Sequence, residues 1–117
     1  MFKKVLLSFF FFATAGSILF SNQTVTHAEL YPVQNTNGAG LDLRKTPTIN
    51  GTRTERNIPD GYKLDLYCYV RGESYMGSTV WDWVGDTGYG GDIDNGFAPD
   101  YFIKTGSSSP VVPFCSW

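Results

Sequence analysis

The chain has 117 residues, with nine Lys and Arg against eleven Asp and Glu and a formal charge of −2 at neutral pH. A short, net-acidic chain without a basic cluster does not read as a nucleic-acid binder. Its one histidine is His27 and its two cysteines are Cys68 and Cys115, which leaves little for zinc coordination or for a nucleophile activated by imidazole.

In chain order, Met1–Lys4 carries two lysines, Val5–Phe20 is mostly apolar, and a polar stretch follows, ending in Thr26-His27-Ala28. Small residues at Thr26 and Ala28 fit the positions a signal peptidase reads, so we place cleavage between Ala28 and Glu29. The alternative is a retained anchor, but the apolar run is shorter than the roughly 20 residues a spanning helix needs. The expected product is residues 29–117, one small secreted domain with no stable membrane insertion after cleavage. Its removal takes away Lys3, Lys4 and His27, so the exported chain is more acidic and has no histidine. An even cysteine count in an exported chain this small points to a Cys68–Cys115 disulfide rather than two free thiols.

The exported part shows no sustained helical period. Leu30–Gln34 reads as a first strand, and Leu41–Arg44 alternates with Leu41 and Leu43 on one face. A tip at Asn50-Gly51 and a strand at Arg53–Ile58 follow, then a tight turn at Pro59–Gly61. The clearest strand is Tyr62–Arg71: Leu64, Leu66, Cys68 and Val70 point one way, Tyr67, Tyr69 and Arg71 the other. Gly72–Ser78 reads as a loop. Thr79–Val84 sets Val80 and Val84 opposite Trp81 and Trp83, and Phe97–Thr105 reads as a last short strand or turn before a tail from about Gly106 to Trp117. Short strands separated by Gly and Pro at this spacing predict an all-β barrel of five to six short antiparallel strands.

Gly85–Phe97, GDTGYGGDIDNGF, invites a metal reading. A calcium loop starting at Asp92 would need an Asp or Asn at the fifth position, a Gly at the sixth and a later Glu; here the fifth is Gly96, the sixth Phe97, and no Glu follows. A looser oxygen cage from Asp86, Asp92 and Asp94 is a minor alternative, and paired-carboxylate hydrolysis a more remote one. The preferred reading is a solvated, glycine-rich extension whose aspartates shape turns, able to bring Tyr89 to a ligand. We expect no metal, no cofactor and no catalysis.

Three motifs, in order, resemble bacterial SH3 domains: GLDLRKTP (Gly40–Pro47), IPDGYKLDLYCYVRGES (Ile58–Ser74), and VWDWV with the later NGFAPDYFIKTG (Asn95–Gly106). The likeness runs from about Tyr31 to Cys115 and is similar to secreted, single-domain actinobacterial and Gram-positive members, including their tail cysteine. The Gly85–Asp94 insertion departs from the pattern, and Pro99 stands where it cannot donate to a strand ladder. The resemblance implies an SH3-like β-barrel and binding to the bacterial cell wall, either the glycan or the peptide of peptidoglycan. The other partner class is a secreted protein, for an inhibitor, toxin-associated or immunity-type factor built on the same barrel. The candidate ligand-binding residues are Trp81, Trp83, Tyr89 and Tyr69. Either they form an exposed stacking surface, or the tail and the Gly85–Gly96 loop cover that face as a second core.

Overall fold

The computed structural model describes residues 29–91 and 94–117. The expected leader, residues 1–28, and with it the expected cleavage site, lies outside the described residues. Among them are six strands: β1 (Leu30–Pro32), β2 (Leu41–Arg44), β3 (Arg53–Ile58), β4 (Lys63–Tyr75), β5 (Ser78–Val84) and β6 (Gly96–Pro99). Short 3-10 turns lie at Tyr89–Gly91 and Asp100–Phe102. The strands form one curled antiparallel sheet, a half-barrel, in the order β1-β4-β5-β6-β2-β3.

The expected strands appear, with instructive differences at their ends. β4 runs on to Tyr75 through what the sequence suggests is a loop. It turns into β5 over Met76 and Gly77, both at positive φ (51° and 84°), the geometry of a tight two-residue hairpin. The first strand stops at Pro32, but Val33 still bridges to Ile103. The last strand stops at Pro99, where Trp81↔Pro99 is the final β5–β6 pair. Pro lacks the N–H to extend a ladder, and the chain enters the 3-10 turn instead.

Leu41, Leu43, Ile58, Leu64, Leu66, Val84, Ala98, Val33 and Ile103 are all buried and form one apolar cluster. Each large aliphatic side chain there contributes about 1.5–3 kcal/mol by leaving water. β2, the first half of β4 and β5 fill this core through the alternation visible in the sequence.

The alternation fails midway along β4. Leu66 pairs with Val84, but Cys68 pairs with Trp83, so β4 holds one extra residue between them. Such a bulge exchanges the faces of the residues beyond it. Since cross-strand partners share a face, Cys68 and Val70 lie on the side of Trp83 and Trp81, and Tyr69 lies on the side of Asp82. The expectation that Cys68 and Val70 continue the row of Leu64 and Leu66, with Tyr69 beside the tryptophans, is corrected here.

Cys68 and Cys115 are bonded, their Cα atoms 4.9 Å apart. The tail docks as a short extra rung beside β4, beyond the end of β1. Tyr69 N–H donates to the Pro113 carbonyl at 2.9 Å, and Cys115 N–H donates to the Tyr69 carbonyl at 2.8 Å.

Candidate functional site

Trp81 is 1% exposed, and its Nε1–H donates to the Glu73 carbonyl at 2.8 Å. A Cβ at Gly72 would stand 2.8 Å from Trp81 Cδ1 and crowd the Pro47 carbonyl as well. Gly72 and the β2–β3 loop therefore pack over this indole, whose remaining edge lines only a small cavity of about 190 Å³ shared with Leu41, Arg44, Tyr75 and Phe102. Its place in a contact surface is corrected to a place in the interior.

Trp83 lies differently. It is half-buried, with the Phe97 ring 4.8 Å and the Trp117 ring 5.3 Å away, both edge-on, and those two rings 6.4 Å from each other, so the three form one cluster. Phe97 is buried beneath, while Trp117 is 77% exposed. β6 supplies Phe97 as the cross-strand partner of Trp83, and Trp117 arrives because Cys115, two residues earlier, is bonded to Cys68 on the same face. The result is an aromatic ledge with an anchored base and an open outer ring.

The other sequence candidates stand apart from it. Tyr69 packs edge-on against Phe114 at 5.3 Å, with the Arg71 guanidinium 5.7 Å from its ring centre. Tyr89 packs against Tyr62 at 5.2 Å, and the Tyr62 hydroxyl donates to the Thr87 carbonyl. No ring contact joins Trp83, Tyr69 and Tyr89 to one another among the described residues. The tail thus covers part of this region, as the second-core alternative supposes, and also contributes exposed rings of its own in Phe114 and Trp117. Of the three aspartates in the glycine-rich stretch, Asp86 is exposed, Asp94 half-buried, and Asp92 lies outside the described residues.

Sequence reasoning misses a pair of acids. Asp82 has no exposed surface and Asp100 is 7% exposed. Neither oxygen of Asp82, nor Oδ1 of Asp100, has a well-formed hydrogen-bond partner, yet the carboxyls lie close enough for each to shift the other's titration. Burial first, and then the neighbouring Asp100, push the Asp82 carboxyl up to about 9. Burial also raises Asp100, partly offset by Asp82. At neutral pH Asp82 holds its proton. The sequence does hold a signal for this: Asp82 alternates with Val80 and Val84, an acid in an apolar row. Its partner lies 18 positions further on (82 to 100) and is brought near by the β5–β6 register, which sets Asp82 opposite Ala98.

These features define a small, disulfide-braced, all-β protein with an aromatic ledge on one face. No family model matches the sequence. The chain is 36% identical over 108 residues to the uncharacterized protein YraI of Bacillus subtilis (strain 168), an overlap covering 88% of each chain. It is 28% identical over 120 residues to the uncharacterized protein YraJ of the same organism, covering 99% of this chain and 100% of that one. The chain belongs to the family of YraI.

Proposed function

We propose that this protein is an exported, non-catalytic binding module of the bacterial SH3-like type. In this reading it recognises cell-wall peptidoglycan through the Trp83–Phe97–Trp117 ledge. The observation that carries the reading is Trp117, a large apolar side chain left 77% exposed although its neighbour Trp83 is anchored in the sheet. Aromatic rings held this way present flat apolar faces to sugar rings or to peptide backbone, and contiguous exposed apolar surface usually marks a contact. The order of the three SH3-like motifs supports the barrel type. The disulfide suits an oxidising compartment, as the leader-like N-terminus does.

The reading reduces the sequence-derived set to Trp83 and adds Phe97 and Trp117. Sedimentation of the protein with purified peptidoglycan sacculi tests it. The parent should co-sediment, and Trp117→Ala should weaken retention roughly 30-fold, as expected for a hot-spot ring worth about 2 kcal/mol. Trp117 is exposed, so this variant should fold as the parent does. A parent that stays in the supernatant removes the cell-wall reading and leaves a secreted protein partner as the ligand class.

A further inference from the structure

The cavity of about 190 Å³ beside Trp81 is lined by residues of β2, β5 and β6 and by the end of β4. Leu41, Trp81 and Pro99, all buried, give it apolar walls, and Tyr75 and Phe102, half-buried with rings 5.2 Å apart, stand at its rim. It shares no residue with the aromatic ledge, yet it lies on the same face of the sheet. Cross-strand partners share a face. Arg44, which also lines the cavity, pairs with Phe97, and Trp81 pairs with Pro99 as Trp83 pairs with Phe97. Trp81 stands two residues before Trp83 on β5, so cavity and ledge are roughly 7 Å apart along the strand.

One group at the cavity carries an unanswered charge. Arg44 is half-buried, and a guanidinium stays protonated in proteins. Its Nη1 donates to the Gly51 carbonyl at 2.9 Å, a neutral partner that fixes the group in place. It makes no ion pair among the described residues. The neighbouring acid does not answer it. Asp42 lines the same cavity, but its Oδ2 takes Arg53 Nε at 2.8 Å and its Oδ1 takes the Asn57 N–H at 3.0 Å. With Asp42 balanced by Arg53, the cavity keeps one positive charge. A cation drawn partly out of water gains from a counter-ion, and the planar guanidinium fits a carboxylate through two parallel hydrogen bonds. The volume is about six times the ~30 Å³ share of a water molecule. That is too small for a whole peptide, but enough for one short aliphatic residue with its carboxylate.

We propose that this cavity is a binding site for the C-terminal end of a peptide whose last residue is small and aliphatic, such as alanine. Its carboxylate pairs with Arg44, its methyl group packs on the apolar walls, and the chain leading back from it runs along β5 towards Trp83. The proposal rests on the ledge reading only for that last direction. The carboxylate site itself stands on Arg44 and the walls around it.

The test is a titration of the isotopically labelled protein with N-acetyl-Ala-Ala at neutral pH, followed by backbone amide and tryptophan indole chemical shifts. Saturable shifts should cluster at residues 40–44, 49, 75, 81 and 102. The C-terminal amide of the same dipeptide should bind roughly tenfold more weakly or worse, since it loses the charge-assisted pair. Arg44→Gln should bind acid and amide alike, and the comparison of probes on the parent stands even if that variant folds poorly. Equal binding of acid and amide by the parent, or no shifts at the cavity with tens of millimolar N-acetyl-Ala-Ala, overturns the proposal. Propionate should bind more weakly than the dipeptide; equal affinity would make this a site for free small acids and overturn the peptide assignment. Lengthening the probe to N-acetyl-Ala-Ala-Ala-Ala should spread the shifts to Trp83 and Trp117. Shifts that stay at the cavity overturn the path along β5 and leave the carboxylate site. Loss of sacculus retention with the cavity shifts intact would strike the wall reading alone, so the two failures are distinguishable.

Discussion

Asp82 lies between two tryptophans, one of them interior, and has no exposed surface. Burial and Asp100 bring its carboxyl to about 9, whereas in an unfolded chain an aspartate titrates near 3.9. Between those values the native state holds a proton that the unfolded state has released, so stability falls as pH rises. The stabilising effect is complete below about pH 4 and is lost as pH climbs through about 9. The groups around Asp82 are its cross-strand partners Tyr69 and Ala98 and the carboxyl of Asp100, which raises it further. The melting temperature of the parent should therefore decline from pH 5 to pH 9. Asp82→Asn, neutral at every pH, should flatten that decline and melt higher than the parent at pH 8. Thermal melts of the two proteins across this range decide the matter, and parallel curves would show that Asp82 does not govern it. The residue was legible in part: the alternation of Thr79–Val84 placed Asp82 in an apolar row, but nothing local to it named Asp100. Trp81 was misplaced for the same reason, because Gly72 and Pro47, which close over it, are remote from the Trp-Asp-Trp motif.

At the scale of elements, β4 carries most of what alternation could and could not reveal. Its first half follows the two-residue period, and Leu64 and Leu66 enter the core as the pattern requires. The bulge before Cys68 then shifts the register by one, and periodicity cannot signal a single added residue when both neighbours are tolerated on either face. The disulfide was legible from the even cysteine count in a small chain expected to be exported, whereas the ledge it positions was not, because Trp117 follows a tail with no period of its own. The second half of β4 depends on Gly72. A methyl group there would meet the Trp81 indole at 2.8 Å and the Pro47 backbone, and the backbone of a packed loop yields less readily than a side-chain tip. Gly72→Ala should destabilise the fold by about 1–3 kcal/mol, as overpacking does, read as a lower urea midpoint at unchanged slope. An unchanged midpoint would mean that the indole and the loop move aside freely.

At the scale of the molecule, an open sheet must protect two edges. β3 is one edge and carries Arg53, Glu55 and Arg56, with Arg53 paired to Asp42 at 2.8 Å; like charged edges generally, it discourages pairing with another chain. The other edge is short: β1 pairs β4 only at Lys63–Asp65, which would leave the middle of β4 bare. The tail fills that gap through Tyr69↔Phe114, and the disulfide holds it there. Closing the 47-residue separation restricts the unfolded chain by about 4 kcal/mol in the loop-entropy account. A domain of ordinary stability, about 5–15 kcal/mol, can lose that and remain folded. The double variant Cys68→Ser/Cys115→Ser should then keep its β-sheet circular dichroism while the tail loosens. Tryptophan emission should shift to longer wavelength as Trp117 leaves Trp83, and retention on sacculi should fall to the level of Trp117→Ala. Removing only Ser116 and Trp117 leaves the bond and the extra rung intact, and should lower retention to the level of Trp117→Ala with little change in melting temperature. Full retention by either protein would place the wall contact away from the ledge. Loss of retention in the bridged truncation, with the fold unchanged, would tie wall binding to the terminal ring itself.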